Sequence, residues 1–123
     1  MAIIDVDLNS VDDSMPLHPE GPLKVRVATK EKMRNKADDG DYIKCGCEPV
    51  DNEIRSWVRV NLSLKDDALK YTKRFLQAAG VQWTPNGKFD DDELLGKELY
   101  VNVTIGEWEG NKKNEAGLPY QAA

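Results

Sequence analysis

The sequence predicts a mainly β fold with a single α-helix placed between the third and fourth strands. Apolar residues alternate with polar ones in four segments, one stretch repeats its apolar residues at helical spacing, and turn residues separate these segments. A chain of 123 residues is long enough to form one domain without a disulfide or a metal site. We divide it into an N-terminal arm or extra strand at 1–20, a folded domain at 21–109 and a flexible C-terminal tail at 110–123.

The four strands are predicted at Leu23–Lys32, Asp41–Cys47, Glu53–Leu64 and Glu98–Glu107. Successive side chains of a strand point to opposite faces, so each strand has an inner apolar row and an outer polar row. The inner rows are Leu23, Val25 and Val27; Ile43, Cys45 and Cys47; Ile54, Ser56, Val58, Val60 and Leu62; and Leu99, Val101, Val103 and Ile105. An extra strand is possible from either end of the chain; in the arm it would lie at Ile3–Leu8.

The one helix follows the third strand. Ser63 is a suitable N-cap, Asp66 and Asp67 place negative charge in the first turn, and Gly80 ends the helix. Its apolar stripe is Leu69, Thr72, Phe75, Leu76 and Ala79. A helix before the closing strand predicts an OB-fold-like small antiparallel barrel, the type that binds oligonucleotides or oligosaccharides. A curled sheet with one covering helix is the alternative.

Few residues suit catalysis or metal binding. Cys45 and Cys47 are too close in one strand to pair well, and His18 is the only histidine, so a zinc site lacks ligands. The acidic run Asp90–Glu93 has neither the ligand spacing nor the turn glycine of a Ca²⁺ loop, and we assign it to a short turn. We therefore expect no enzyme, no cofactor and no metal site.

The charge is distributed unevenly along the chain. The net charge is −5, but residues 21–74 hold thirteen Lys and Arg against nine Asp and Glu. Residues 1–20 hold five acids and no Lys or Arg, and residues 75–123 hold four basic residues against eight acidic ones. Because a ligand responds to the local field, the basic middle of the chain remains compatible with nucleic acid.

The outer rows combine cations with aromatic rings. Cations match phosphates, and exposed rings stack on bases of any sequence. The first long loop, expected near residues 30–40, adds further basic residues. The candidate nucleic-acid-binding residues are Lys24, Arg26, Lys30, Lys32, Arg34, Tyr42, Lys44, Arg55, Trp57, Arg59 and Tyr100. The same residue types are common on the solvent face of any sheet, and Trp57 is equally compatible with a position under the helix or the arm. A protein interface therefore stays open as the alternative.

A resemblance adds to this interpretation. The chain carries, in order, Leu17, Pro19-Glu20-Gly21, the strands LKVRV, DYIKCGCEPV and SWVRVNLSL, the helix ALKYTKRFLQAAGV, and then DDDELLGKELYVNV. Over about residues 17–105 this order resembles a bacteriophage family of small proteins that are encoded among replication and recombination genes. Its most telling piece is the helix ending in Ala-Ala-Gly-Val, followed after a loop by Leu-Leu-Gly-Lys and a Val-rich strand.

The resemblance implies a phage single-stranded DNA-binding protein that acts in DNA replication or recombination. The expected partners are single-stranded DNA and phage or host replication and recombination proteins, with no membrane and with a homodimer left open. The expected location is the cytoplasm of the bacterial host cell. The alternative is a phage protein-interaction module, either a recombination accessory factor or an inhibitor of a host protein.

Overall fold

The computed structural model describes residues 2–10, 16–34 and 40–123. It contains five strands and one α-helix, and the helix lies between the third and fourth strands as predicted. The strands are β1 (Gly21–Met33), β2 (Tyr42–Pro49), β3 (Val58–Ser63), β4 (Glu98–Trp108) and β5 (Asn111–Ala122), and the helix is α1 (Leu69–Ala79). Three short 3-10 helices cover Leu8–Ser10, Asp66–Ala68 and Asp91–Leu94.

The strands form one antiparallel sheet in the order β3-β2-β1-β4-β5. The long central strand β1 pairs with β4 through its first residues, from Gly21 to Arg26, and with β2 from Val25 to Met33. Among the described residues, no ladder of hydrogen bonds joins β3 to β5, so the sheet is open. These two edge strands nevertheless bring Cα atoms within 8 Å of each other, and α1 contacts β3, β4 and β5.

The buried core confirms most of the predicted alternation. Most residues of the predicted inner rows are buried; Ile105 near the end of β4 is exposed, and Ile54 and Ser56, which lie ahead of β3, are only half-buried. The helix adds Thr72, Phe75, Leu76 and Ala79. Phe75 is completely buried, and its ring meets that of Tyr120 edge to face at 5.1 Å between centroids. The apolar stripe of α1 therefore covers one side of the curled sheet, except for Leu69, which remains partly exposed.

A β-bulge in β1 changes which side chains face outward. The register shifts between Val27 and Thr29, so Val27 pairs with Cys47 whereas Thr29 pairs with Gly46. Directly paired residues share a face of the sheet, and one extra residue exchanges the two faces. Beyond Ala28, Lys30 therefore lies on the side of buried Cys45. Lys30 is expected in or beside the first long loop; it lies within β1, which continues to Met33, and the bulge turns its side chain away from the outer row.

The C-terminal segment is a strand, so the prediction of a flexible tail at 110–123 is wrong. Residues 111–122 pair with β4 from Asn111 opposite Trp108 to Ala122 opposite Leu99. Glu109 and Gly110 both have positive φ angles, of 51° and 80°, which are the angles of a two-residue hairpin turn. The segment is polar because most of its side chains stay exposed, and that polarity conceals the strand from a search for apolar alternation.

Three further boundaries differ from the sequence prediction. Residues 2–7 have no regular structure, so the short strand considered at Ile3–Leu8 is absent. The third strand begins at Val58, which leaves Arg55 and Trp57 in the segment before it. The helix begins at Leu69 rather than after Ser63, because Ser63 ends β3 and its carbonyl accepts a hydrogen bond from Thr72 Oγ1 at 2.6 Å. Gly80 ends the helix in a left-handed conformation, as predicted.

Cys45 and Cys47 are core residues, as predicted. Both are free and fully buried, and burial raises the pKa of each thiol to about 12. Because the thiolate is the reactive form, we expect neither cysteine of the folded protein to react with a thiol-specific disulfide reagent near pH 8. Both should react in denaturant. Rapid reaction of the folded protein would contradict this burial.

The raised thiol pKa values also predict the direction of an alkaline effect on stability. The unfolded chain loses these protons near pH 8.5, whereas the folded chain holds them to about pH 12. Between these values the unfolded state binds fewer protons, so the free energy of unfolding falls as pH rises. Urea unfolding at about pH 7 and about pH 10 measures this loss. The loss should be smaller in the double variant Cys45→Ala/Cys47→Ala.

Candidate nucleic-acid interface

A groove of about 460 Å³ lies on the solvent side of β1, β2 and β3. We call it the Trp57 groove. Thr29, Lys44, Gly46 and Arg59 line it together with Trp57. The pairing of Gly46 with both Thr29 and Arg59 places these residues in one row across the three strands. Lys30, Glu31 and Val58 complete the lining, so the groove gathers an aromatic ring, three cations and one carboxylate.

Trp57 lies against the backbone of β2 at Gly46. A Cβ atom placed on Gly46 would lie 3.3 Å from Cε3 and 3.4 Å from Cζ3 of the Trp57 indole, and it would collide with Thr29 Oγ1. The absence of a side chain at position 46 thus makes room for the ring. Trp57 remains 55% exposed, so neither the helix nor the described part of the arm covers it. The indole is supported on one side and open to solvent on the other.

Gly46→Ala tests this seat. The added methyl group must displace either Thr29 or the indole, so we expect a loss of about 1–3 kcal/mol in unfolding free energy. Trp57 should also move into a more polar environment, which its fluorescence emission would report. Gly117→Ala is the matched control, because a Cβ there meets nothing within 4 Å. Equal stability of the two variants would contradict the close contact between the Trp57 indole and Gly46.

Two of the cations that line the Trp57 groove, Lys44 and Arg59, form no ion pair among the described residues, whereas the third, Lys30, is paired with Asp91 and Asp92. Lys44, Arg55 and Arg59 form no ion pair with any acidic side chain in these parts of the chain. Arg59 and Arg55 are exposed, and Lys44 is half-buried. Arg59 and Lys44 therefore line the groove beside the exposed indole without an ion pair, Arg55 lies outside the lining, and Glu31, opposite Lys44, adds one carboxylate to it.

Other predicted cations are already paired. Arg26 Nη2 lies 2.7 Å from Glu98 Oε2, its Nη1 lies 3.4 Å from Glu48 Oε1, and Lys24 Nζ lies 3.9 Å from Glu98 Oε1. The hydrogen bond to Glu98 is the main cause of the raised pKa of Arg26. Both side chains face outward as predicted, but their charge is balanced by neighbouring carboxylates.

Lys30 and Lys32 have acidic partners as well. Lys30 Nζ lies 3.2 Å from Asp91 Oδ1 and also contacts Asp92, and these two hydrogen bonds raise the pKa of Lys30. Lys32 Nζ lies 3.8 Å from Asp41 Oδ2. The bulge places both lysines on the face opposite to Lys44. Lys30 nevertheless lines the Trp57 groove, with its charge balanced by Asp91 and Asp92, whereas Lys32 is not among the residues that line it.

The remaining predicted residues lie around the edges of this surface. Tyr42 pairs with Met33 and Ser63 and shares the outer face with Lys44, but it does not line the Trp57 groove. Tyr100 lies opposite Lys24 in the pairing of β1 with β4, two residues along β4 from Glu98, which lies opposite Arg26. Arg34 is exposed and adjoins residues 35–39, which lie outside the described part of the chain. The loop expected at 30–40 is thus described only at its two ends.

The sequence analysis missed the β4–β5 hairpin. Trp108, at the end of β4, is 67% exposed, and Lys113 lies on the same face opposite Gly106. An aromatic residue immediately before the Glu-Gly turn was the available signal. The hairpin cannot be recognised from the pattern of polar residues, because a flexible tail and an exposed hairpin strand have similar compositions.

His18 joins this hairpin to the segment that carries Trp57. Its backbone N–H donates to Asn114 Oδ1 at 2.7 Å, and Asn114 Nδ2 donates back to the His18 carbonyl at 2.9 Å. Its ring Nε2 lies 2.7 Å from the carbonyl of Ser56, the residue before Trp57. His18 is almost completely buried, and its Nδ1 has no partner within the described structure. The link brings the start of β5 beside the Trp57 groove.

The acidic cluster at 90–92 is a turn, as predicted. Asp90 Oδ1 accepts a hydrogen bond from the N–H of Asp92 at 2.9 Å, which begins the short 3-10 helix. Carboxylate oxygens of these three residues lie within 4.8 Å of one another, but Lys30 already supplies a positive charge to two of them. The cluster is therefore explained by the contact between this turn and β1.

No protein-family model matches the sequence, and no curated protein matches it. Within the described residues, no helix is both long enough and apolar enough to cross a membrane. Function must therefore be inferred from the chemistry of the molecular surface, where the Trp57 groove combines the cations Lys44 and Arg59 with an exposed ring on the face of β2 and β3.

Proposed function

We propose that this protein binds single-stranded DNA, with little sequence preference, through the Trp57 groove. The observation that carries the proposal is the exposed indole on Gly46, flanked by the unpaired cations Lys44 and Arg59. Rings stack on any base, and Lys and Arg follow the phosphate backbone. Tyr42 extends the stacking surface along the same face, and Arg55 adds a further cation near Trp57.

The strand arrangement supports an OB-type barrel. The order β3-β2-β1-β4-β5, with the helix between β3 and β4, is the order of a five-stranded barrel opened between β3 and β5. Barrels of this type are partly open, and they bind oligonucleotides with the β2–β3 face and with the loops that follow β1 and β4. The Trp57 groove lies on that face, and Trp108 lies at the second of those loops.

The biological role we propose is that of a phage protein in DNA replication or recombination, acting in the cytoplasm of the bacterial host. It is a binding role without catalysis, cofactor or metal. The negative total charge of the chain is compatible with this role, because thirteen of the seventeen Lys and Arg residues lie within residues 21–74. Local unpaired cations decide the potential at the groove.

The second candidate is a protein-interaction module for a host or phage replication protein. It is favoured by the arm, where apolar side chains are exposed next to acidic ones. The two candidates differ in a simple readout. A module of this kind would leave oligonucleotides unbound while it formed a complex with one specific protein.

Arg59→Ala tests the phosphate contacts. The affinity for single-stranded DNA should fall, and the slope of log K against log salt should decrease by about 0.7 for one lost phosphate contact. Lys88→Ala is the charge-matched control, because Lys88 is exposed in the loop after the helix and outside the Trp57 groove. Fluorescence anisotropy of a labelled oligonucleotide at several salt concentrations measures both quantities. Equal effects of the two substitutions would assign binding to general charge and contradict the groove.

A further inference from the structure

A second groove, of about 310 Å³, lies between α1 and the loop that follows it. We call it the α1 groove. Leu76 is almost completely buried and Phe89 is half-buried, so these two side chains form an apolar floor. Leu69 and Trp83 also line the groove, and each of them is more than a third exposed. The groove therefore offers apolar surface that a ligand would remove from water, which is favourable.

The loop side of the α1 groove is shaped by a tight turn at residues 84–88. The Thr84 N–H donates to the Lys88 carbonyl at 2.8 Å, and the Gly87 N–H donates to the Thr84 carbonyl at 2.8 Å. The Lys88 N–H donates to Thr84 Oγ1 at 3.1 Å. Gly87, which lines the groove, has a φ angle of 77° that an L side chain would strain. A ligand therefore meets a preformed wall, and a preformed site loses less entropy on binding.

The rim of the α1 groove is basic. Lys70 and Lys73 line the groove, both are exposed, and neither forms an ion pair with an acidic side chain in the described residues. The helix α1 carries these two lysines and Arg74 but no Asp or Glu. Asp66 and Asp67 precede the helix and pair with neither lysine. The rim is therefore complementary to carboxylates on a ligand.

The contacts of the two rim lysines favour a peptide over a nucleic acid as the ligand. Lys73 Nζ lies 5.6 Å from the centre of the Trp83 ring, and Lys70 Nζ lies 5.1 Å from the centre of the Tyr71 ring. A base stacks on a free ring face, whereas an ammonium group already lies over one face of each of these rings. The floor of the groove includes Leu76, whose aliphatic surface suits the side chains of a peptide.

We propose that the α1 groove binds a short acidic segment of another protein, with apolar side chains on the floor and Asp or Glu carboxylates beside Lys70 and Lys73. The groove lies on the helix side of the sheet, whereas the Trp57 groove lies on the outer face, so the two sites can be occupied together. The described part of the arm does not fill the α1 groove, because Ile3 and Ile4 are at least 73% exposed. The inference goes beyond DNA binding and does not depend on it.

Fluorescence anisotropy of a labelled, end-blocked peptide, with two leucines between pairs of aspartates, tests the proposal on the full-length protein. The wild type should bind the peptide saturably. Lys73→Glu should weaken this binding by about 5-fold to about 30-fold, because it removes a favourable charge contact and creates a like-charge one. Lys112→Glu is the charge-matched control, because Lys112 is exposed on the β4–β5 hairpin and outside the groove, and it should bind like the wild type.

Two altered peptides test the chemistry of the ligand. A peptide with lysines in place of the aspartates should not bind, because it meets Lys70 and Lys73 with like charge. A peptide with serines in place of the leucines should bind more weakly than the original, because nothing apolar reaches the floor of the groove. Equal binding of all three peptides would contradict an acidic and apolar ligand.

Two tryptophan variants separate this site from the Trp57 groove. Trp83→Ala removes one wall of the α1 groove and should lose affinity for the peptide, whereas Trp57→Ala should bind the peptide like the wild type. Thermal unfolding checks that both variants are folded. A saturating concentration of oligothymidylate should leave the affinity of the wild type for the peptide unchanged.

Several outcomes would overturn the proposal. A wild type that shows no saturable binding would do so, and so would equal affinities of Lys73→Glu and Lys112→Glu. Displacement of the peptide by oligothymidylate would make the α1 groove a nucleic-acid surface instead. Peptide binding by Ile4→Asp/Val6→Asp but not by the wild type would place the arm of the chain in its own groove, which also overturns binding of another protein. The peptide titration contains no DNA, so its failure is distinguishable from a failure of DNA binding.

Discussion

Replacing Trp57 by alanine is expected to weaken binding of a single-stranded oligonucleotide by about 5-fold to about 150-fold, with little change in the stability of the fold. The range corresponds to about 1–3 kcal/mol for the loss of one base–aromatic stack. The indole rests on Gly46 but is 55% exposed, so its removal uncovers backbone without opening a cavity in the core. Anisotropy with a labelled oligothymidylate measures the affinity, and thermal unfolding measures the stability.

Two matched variants make this result specific. Trp57→Phe keeps a flat ring on the same seat and should retain most of the affinity. Trp83→Ala removes another partly exposed tryptophan, one that lies against α1 rather than in the Trp57 groove, and should bind DNA like the wild type. An unchanged affinity of the Trp57→Ala variant, or an equal loss of affinity in Trp83→Ala, would contradict the stacking of bases on Trp57.

Phe75→Ala is expected to lower the free energy of unfolding by about 3–5 kcal/mol, the usual cost of removing a buried phenylalanine. Phe75 has no exposed surface and lies edge to face on Tyr120 of β5. Burial also raises the pKa of the Tyr120 hydroxyl. The substitution therefore leaves a cavity at the place where the helix, β5 and the sheet meet. Urea unfolding followed by circular dichroism measures the change.

Tyr71→Ala on the same helix is the control for Phe75→Ala. Tyr71 is 44% exposed, and its loss should change the free energy of unfolding by no more than about 0.5 kcal/mol. If Phe75→Ala cost as little as Tyr71→Ala, the helix would not be part of the core as described. The pairing of the C-terminal segment as β5 would then lose its main support from packing.

The strand core and the helix could be predicted because they follow strong local patterns. Period-two alternation identified the buried rows of four strands, and helical spacing identified the stripe of α1 around Phe75. These patterns come from burial on one side of each element, which the sequence records directly. β5 could not be found in this way, because its side chains are mostly exposed and its pairing with β4 depends on the turn at Glu109-Gly110.

The candidate site depended on contacts between residues distant in sequence. Lys24 and Arg26 were correctly placed on the outer face, but only the fold shows that Glu98 and Glu48 pair with them. Lys30 lies on the opposite face of the sheet from the one that strict alternation predicts, because β1 contains one extra residue at Ala28. No alternation pattern reveals such a residue beforehand. The alternation pattern does not distinguish Gly46 from its neighbours in the strand, although Gly46 is the position that accommodates Trp57.

The central claim is that single-stranded DNA stacks on Trp57 between Lys44 and Arg59. The most direct measurement is quenching of the intrinsic fluorescence of the three tryptophans during titration with a single-stranded oligonucleotide, at low and at moderate salt, with duplex DNA of the same sequence as control. The account predicts quenching that weakens as salt rises, because binding releases counterions, and that is absent with the duplex and reduced in Trp57→Phe. A flat titration of the wild type at low salt would contradict DNA binding as the function of this surface and would favour the protein-interaction alternative.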